Sequence, residues 1–335
     1  MIRPPALRRG DTVGIAAPSS AHAAGVPRRL ARGVTELERH GFRVRLGAHV
    51  RNPHPTNADK LDELHELFRD GDVQAIVCTI GGYDSHQLLE QLDFDVVAAN
   101  PKVFSGYSDV TALLAAIHAV TGLVTFMGPA LLTDWAEFGG IPAYTRAEWE
   151  ATVTSAMARN AIPAAAAWTA EATRWDEADD RPRVWDANPG PRTVRAGVAE
   201  GPLAPANLST LLLLAGTRWW PRLDGAILCI EAAEEEQAWW VERSLHHLRH
   251  VGVWERAAGV AVGRCHPASE LAPDDLDRML LAATRGTDLP AAVDFDFGHT
   301  EPHCTLPWGV RARLDADAPS LALLEAAVAR SRRAR

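Results

Sequence analysis

Ser108 is the residue whose setting offers chemistry most directly. It lies in Val103-Phe104-Ser105-Gly106-Tyr107-Ser108-Asp109-Val110-Thr111, where a short β-type run meets a glycine and the helical run Ala112-Leu113-Leu114-Ala115-Ala116-Ile117 begins just beyond. The pattern predicts strand, sharp turn and helix, with the serine at the turn. A hydroxyl on such a bend stands beside free backbone N–H groups at a helix start, which is how a hydrolase presents a nucleophile next to an oxyanion hole. Val110 occupies the second glycine position of the G-x-S-x-G elbow. On local pattern alone, a capping serine at a βα turn accounts for the same residues.

Two later positions share that context. Gly225-Ala226-Ile227-Leu228-Cys229-Ile230 reads as a buried strand with Glu231 at its C-terminal end, and Phe295-Asp296-Phe297-Gly298-His299 ends a strand in glycine and histidine. Serine, glutamate and histidine at the ends of three separate strands can assemble a relay. His299 would take the Ser108 proton, and Glu231 would hold the imidazole in the right tautomer. Taken singly, Glu231 also reads as a salt-bridge partner and His299 as a loop histidine with a local hydrogen bond.

The elements that must position these groups alternate in the first part of the chain. Residues 12–17, 42–46 and 75–80 read as strands, and 28–41, 57–70 and 85–92 as helices. That βαβα order predicts a parallel sheet with helices on both faces. Ligands of such sheets bind at the carboxyl ends of strands, where Pro18-Ser19, Gly81-Gly82 and Ser108 all fall. Residues 145–170 are alanine-rich and expected to be helical. The segment 175–191 is dense in charge, proline and glycine, and long ordered loops in compact proteins are usually functional. Beyond it come β-type stretches at 226–230, 257–262, 292–297 and 310–314, with helices at 208–215 and 237–250.

Composition narrows the class. The chain has 335 residues, enough for two domains of about 150 residues each. A net charge of −9, from 34 basic and 43 acidic residues, argues against binding to a nucleic-acid polymer. The C-terminal Arg330, Arg332, Arg333 and Arg335 read as a short solvated tail. Cys78, Cys229, Cys265 and Cys304 show no C-x-x-C pairing, so they suggest neither a zinc site nor a disulfide framework and fit a reducing cytoplasm. The N-terminus lacks the apolar region of a signal peptide, and no window approaches the roughly 18 apolar residues of a membrane span. Eleven tryptophans is a high count, and several lie in polar surroundings, where an indole can cover a ligand. His246, His247 and His250 read as a solvated helix face rather than a metal cluster. His266 and His303 fall near the expected cleft and receive no role.

In order along the chain, the motifs resemble the serine peptidase family of LD-carboxypeptidases and microcin C immunity proteins. The matching pieces are Gly10-Asp11-Thr12-Val13-Gly14-Ile15-Ala16-Ala17-Pro18-Ser19-Ser20, Gly81-Gly82-Tyr83-Asp84-Ser85, Leu92-Asp93-Phe94-Asp95, Gly106-Tyr107-Ser108-Asp109-Val110-Thr111, Asn207-Leu208-Ser209, Glu231 and Gly298-His299 through Pro307. The resemblance implies an α/β fold: a parallel-sheet Rossmann or flavodoxin-like domain over 1–150 carrying Ser108, a connecting segment and Trp-bearing loop over 151–191, and a mixed β/α domain of swivelling type over 192–335 carrying Glu231 and His299. It implies Ser108 as nucleophile, His299 as base and Glu231 as its orienter, with the backbone N–H groups of Gly82 and Asp109 as oxyanion hole. It implies no metal and no organic cofactor, a small-molecule substrate and a homodimer. Ala206 and Ala232 depart from the family's usual glycine and aspartate.

The two branches of that family cleave different bonds. LD-carboxypeptidases remove the terminal D-alanine of muropeptide tetrapeptides. The immunity branch hydrolyses the bond joining an aminoacyl group to a nucleotide phosphoramidate or sulfamate, using a loop that brings aromatics to the nucleotide. Trp175 and Trp185 are the corresponding candidates for stacking on a base, although either could instead pin the loop, and Asn207 is a further substrate-binding candidate. The immunity-type activity is the expectation favoured here. LD-carboxypeptidase activity is the alternative, and a non-catalytic ligand-binding protein on the same fold is a third.

Overall fold

The computed structural model describes residues 1–330, so Arg332, Arg333 and Arg335 of the basic tail lie outside the described residues. Strands β1 (Thr12–Ala16), β2 (Arg43–Leu46), β3 (Val73–Cys78), β4 (Val103–Gly106) and β5 (Phe126–Met127) run parallel in the order β2-β1-β3-β4-β5. That is the flavodoxin-like order, with a switch point between β1 and β3. Alternate strand residues serve opposite faces. Val13, Ile15, Ala75, Val77 and Val103 pack with Leu30 and Leu37 of α1 (Pro27–Arg39). Ile76, Cys78 and Phe104 pack with α2 (Asn57–Arg69), α3 (Phe94–Ala99) and α4 (Thr111–Thr121). Every residue of β1 is buried because both faces are covered.

The chain between the lobes forms α5 (Ala143–Val153), β6 (Arg159–Ile162), β7 (Ala167–Trp168) and β8 (Asp186–Ala187). This corrects the expectation of helix over 145–170. The helix stops at Val153, and the alanines beyond it are extended because Ile162 pairs with Leu321 and Ala167 with Ala187. Pro163, which cannot donate, sits between the two pairings. The 85–92 helix is likewise reduced to a short 3-10 turn, Ser85–Leu88, whose first residue is held by Asp109 instead of by a helical ladder.

The second lobe adds β9 (Arg192–Arg195), β10 (Val198–Asn207), β11 (Ile227–Glu231), β12 (Gly259–Gly263), β13 (Ala291–Phe295), β14 (Leu306–Pro307), β15 (Arg311–Asp315) and β16 (Ser320–Leu323). Its sheet runs β6-β16-β15-β10-β11-β12-β13-β9. The central β10 to β13 are parallel, and the flanking strands are antiparallel. Short α6 (Leu208–Leu212), α7 (Ala238–His250) and α8 (Pro273–Ala283) complete the lobe; α8 is not among the expected helices, although Pro273 and the acidic Asp274 and Asp275 in its first turn mark its start. Strand β14 crosses back to pair with β5 of the first sheet.

Between the sheets lies α4, buried without a break from Thr111 to Ile117 and packed on α6 and β10. A helix apolar all round belongs in such a position. It starts three residues after Ser108, so the nucleophile candidate sits where the lobes meet. Of the eleven tryptophans, Trp135, Trp149, Trp254 and Trp308 are fully buried in the core; the other seven, Trp175 and Trp185 among them, keep some exposure. Among the described residues no helix is long and apolar enough to cross a membrane.

Candidate functional site

The elbow at Ser108 follows from the end of β4. Tyr107 is extended, Ser108 has φ +62°, and a 3-10 turn leads into α4. A left-handed non-glycine residue costs of the order of 1–3 kcal/mol and persists only where its surroundings hold it. Asp109 does much of the holding. Its carboxylate accepts from Ser19 Oγ at 2.5 Å and Ser85 N at 2.9 Å, while Ser85 Oγ donates to Asp109 O at 2.6 Å. The loops after β1 and β3 are thereby tied to the turn after β4. Gly81 permits the close approach, because a Cβ there would lie 2.7 Å from Ser108 Cβ and 3.3 Å from Asp109 N.

The second lobe supplies the other two groups. His299 Nε2 lies 3.0 Å from Ser108 Oγ, and His299 Nδ1 donates to Glu231 Oε2 at 2.7 Å. Glu231 is 1 % exposed at the end of β11. Burial works to lower the His299 pKa, but the Glu231 charge and hydrogen bond, helped by Glu234 and Glu235, outweigh it and lift the imidazole to about 9. Gly298, at φ +107°, makes the approach possible: a Cβ there would sit 2.8 Å from Glu231 Cβ and 2.9 Å from its Oε2. Gly298→Ala is therefore expected to lower stability by at least about 1 kcal/mol in urea unfolding. Because the His299–Glu231 pair must shift, kcat/KM should fall ~100-fold. Unchanged values in both measurements would contradict this packing.

A layer behind the imidazole completes its support. The Tyr107 ring lies edge-on to His299 at 5.2 Å and 5.0 Å from the His303 ring. His303 Nε2 is 2.7 Å from Asp134 Oδ1, and Asp134 also accepts from Ala130 N and Thr133 Oγ1. His303 thus stands behind the cleft wall as a buried structural histidine. All four cysteines are free, and burial pushes each thiol up, which disfavours the reactive thiolate.

Ser108 and His299 open into a cleft of about 760 Å³ lined by both lobes and by the 169–183 segment. Gly82, Trp175 and His266 are on its wall. The Arg29 guanidinium covers Trp175 at 4.3 Å, and His22 meets it edge-on at 5.4 Å. Trp185 is not among the lining residues; it immediately precedes β8, 36 % exposed, with Arg183 5.8 Å from its ring. Asn207 is also off the cleft wall. It is 2 % exposed, its Oδ1 accepts from Thr210 N to cap α6, and its N–H donates to Thr111 Oγ1 at the start of α4. The burial of Ala206 and Ala232 likewise sets them in the core.

Sequence reasoning missed the ionic clamp that holds the loop. Asp176 accepts from the N–H groups of Arg28 and Arg29 at 2.8 Å, covering the start of α1. Asp179 pairs with Arg29 at 3.0 Å and Arg32 at 2.5 Å. Arg183 pairs with Glu137 at 2.9 Å and with Glu301. The one available signal was Glu301, two residues beyond His299. Among the described residues no group of three or more His, Cys, Asp or Glu could hold a metal ion.

Fold and site together define a two-lobed α/β protein laid out as a hydrolase, with a hydrogen-bonded Ser–His–Glu chain where the lobes meet. Residues 13–128 match the LD-carboxypeptidase N-terminal domain and residues 200–314 the LD-carboxypeptidase C-terminal domain, and the chain belongs to this peptidase family. It is 32% identical over 333 residues to a probable murein peptide carboxypeptidase of Bacillus subtilis, covering 97% of this chain and 95% of that one. It is equally 32% identical over 330 residues to the microcin C7 self-immunity protein MccF of Escherichia coli, covering 95% and 94%. The solved structure of MccF in complex with aspartyl sulfamoyl adenosine superposes with a TM-score of 0.90 at 30% identity, covering 98% of this chain and 100% of that one.

Proposed function

We propose that the chain is a serine hydrolase in which Ser108, His299 and Glu231 act as nucleophile, general base and orienter. The observation that carries this reading is the unbroken chain of hydrogen bonds from Ser108 Oγ through His299 to Glu231, opening on the cleft. Ser108 Oγ attacks the scissile carbonyl while His299 Nε2 accepts its proton, and Glu231 stabilises the imidazolium that forms. The backbone N–H groups of Gly82 and Asp109 receive the oxyanion. His299 then protonates the leaving nitrogen, which departs and leaves an acyl ester on Ser108. A water deprotonated by His299 cleaves the ester and restores the serine.

For the substrate we favour an aminoacyl group joined to a nucleotide through a sulfamate or phosphoramidate. The similarity to MccF, solved with an aminoacyl sulfamoyl nucleoside, and the placement of Trp175 on the cleft wall support it. Removal of a terminal D-alanine from a muropeptide is the second reading, supported by the equally similar murein peptide carboxypeptidase. Mass spectrometry of the purified protein offered an L,D-tetrapeptide muropeptide and an aminoacyl-sulfamoyl adenosine in parallel separates them. Release of sulfamoyl adenosine is expected. Loss of D-alanine alone would assign the second reading, and failure of a fluorophosphonate probe to label Ser108 would point to a binding protein.

A further inference from the structure

One arginine on the cleft wall is not fully used by the protein. Arg183 lines the cleft with its side chain only 9% exposed. Its Nη2 serves both Glu137 and Glu301. Its Nε is buried without a hydrogen-bond partner, and among the described residues Nη1 makes no hydrogen bond. The neighbouring Arg29 is different: its Nε donates to Leu132 O, its Nη1 to Asp179 and its Nη2 to Thr133 O and Glu137. Buried guanidinium donors are normally satisfied, and Arg is the side chain suited to planar oxyanions. The unspent nitrogens of Arg183 are donors that the oxygens of a ligand in the cleft could take up.

Position and charge say what that partner is. Glu301 is two residues past His299, a reach of at most about 7 Å, and its main chain is bonded in both directions to Thr169. The arginine is thus fixed to the turn that delivers the general base. Burial, tempered by Arg183 and reinforced by Asp134 and Glu137, pushes the Glu301 carboxyl up to about 7. Glu301 can therefore take up a proton when another anion displaces it, and Glu137 is shared with Arg29. An incoming anion can take up the guanidinium without leaving a buried charge unpaired.

We propose that Arg183 anchors the anionic part of the leaving group, the oxyanion-bearing unit attached directly beyond the scissile nitrogen. This rests on the hydrolase reading above and deepens it. Both substrate readings place such a group there: the carboxylate of a terminal D-amino acid, or the sulfamoyl or phosphoryl oxygens of a nucleotide. The alternative is that Arg183 only pins the loop, which would affect all ligands alike.

Binding is measured by calorimetry on the Ser108→Ala protein and on Ser108→Ala with Arg183→Gln or Arg183→Lys. Four ligands form two pairs: an L,D-tetrapeptide with free D-alanine against its D-alaninamide, and an aminoacyl-sulfamoyl adenosine against the neutral aminoacyl amide of 5′-amino-5′-deoxyadenosine. The expected result is a loss of about 30-fold for the anionic member of the pair that fits, less than threefold for its neutral counterpart, and partial retention with Arg183→Lys. The pair that discriminates identifies the source of the anion. Equal loss for both members, no loss for either, or no binding of any of the four overturns the anchor. Native-protein turnover of the same compounds is scored separately. Discriminating binding without turnover would overturn the hydrolase reading and leave the anchor standing.

Discussion

Ser108→Ala is expected to lower kcat by about 10⁴–10⁶-fold while leaving substrate affinity and unfolding midpoint nearly unchanged. The magnitude follows from what the hydroxyl does: without Oγ there is no covalent ester, and His299 has no proton to take. Binding and the oxyanion donors remain, so a residual rate above the uncatalysed reaction survives. The neutrality toward folding has a structural basis. Ser108 Oγ makes its hydrogen bond to His299, whereas the elbow itself is held by Asp109 through Ser19 and Ser85. Alanine at φ +62° is strained much as serine is. Single-turnover mass spectrometry with the intact protein checks both halves, since the native enzyme should accumulate acyl adduct and the variant none. A variant retaining a tenth of native kcat would remove Ser108 from the chemistry.

Glu231→Gln should cost about 10³–10⁴ in kcat and move the pH profile. In the native protein burial depresses the imidazole pKa, but the charge and hydrogen bond of Glu231 carry it to about 9. General-base action needs neutral imidazole, so kcat/KM should rise about tenfold per unit from pH 7 and level off near 9. With Glu231 neutral, burial of the imidazole is no longer opposed by that charge, and the inflection moves to lower pH. The glutamine can also present its amide to Nδ1 and select the unproductive tautomer, which is why the rate falls although more of the imidazole is neutral. Stability carries the same signature with a definite sign. His299 has a folded-state pKa above its unfolded value of about 6.5, so its contribution is fully present below that value and is lost as pH rises through about 9. Urea unfolding of native and Glu231→Gln proteins between pH 6 and 10 should show this pH-dependent difference. An unshifted kinetic inflection would mean that Glu231 does not govern His299.

How far these residues were legible depended on how local their signals are. Gly106-Tyr107-Ser108 after an apolar pair, Glu231 after a buried strand and Gly298-His299 after another each combine a strand end with a reactive side chain. Continuous apolar runs mark such buried strands, and hence their ends, within a few residues. The family resemblance then gave order along the chain. Both kinds of information are carried by short windows, and both survive folding unchanged.

The tertiary structure decided what no window contains. Trp175 and Trp185 look alike in sequence, ten residues apart in the same charged loop, yet only Trp175 reaches the cleft, because Asp176 and Asp179 pin its part of the loop to α1. Asn207, a substrate-binding candidate in the sequence, caps α6 and joins the lobes through Thr111, contacts that no sequence window contains. The alanines after Val153 favour helix by propensity, but pairing with β16 and β8 overrides them. Arg183 and Glu301, 118 positions apart, meet only when the loop closes over the second lobe. The sequence by itself determined which strand ends carry reactive groups, since backbone periodicity and side-chain chemistry are local. Which of those groups share a cleft, and which charges remain unspent there, depended on long-range packing of the two sheets about α4.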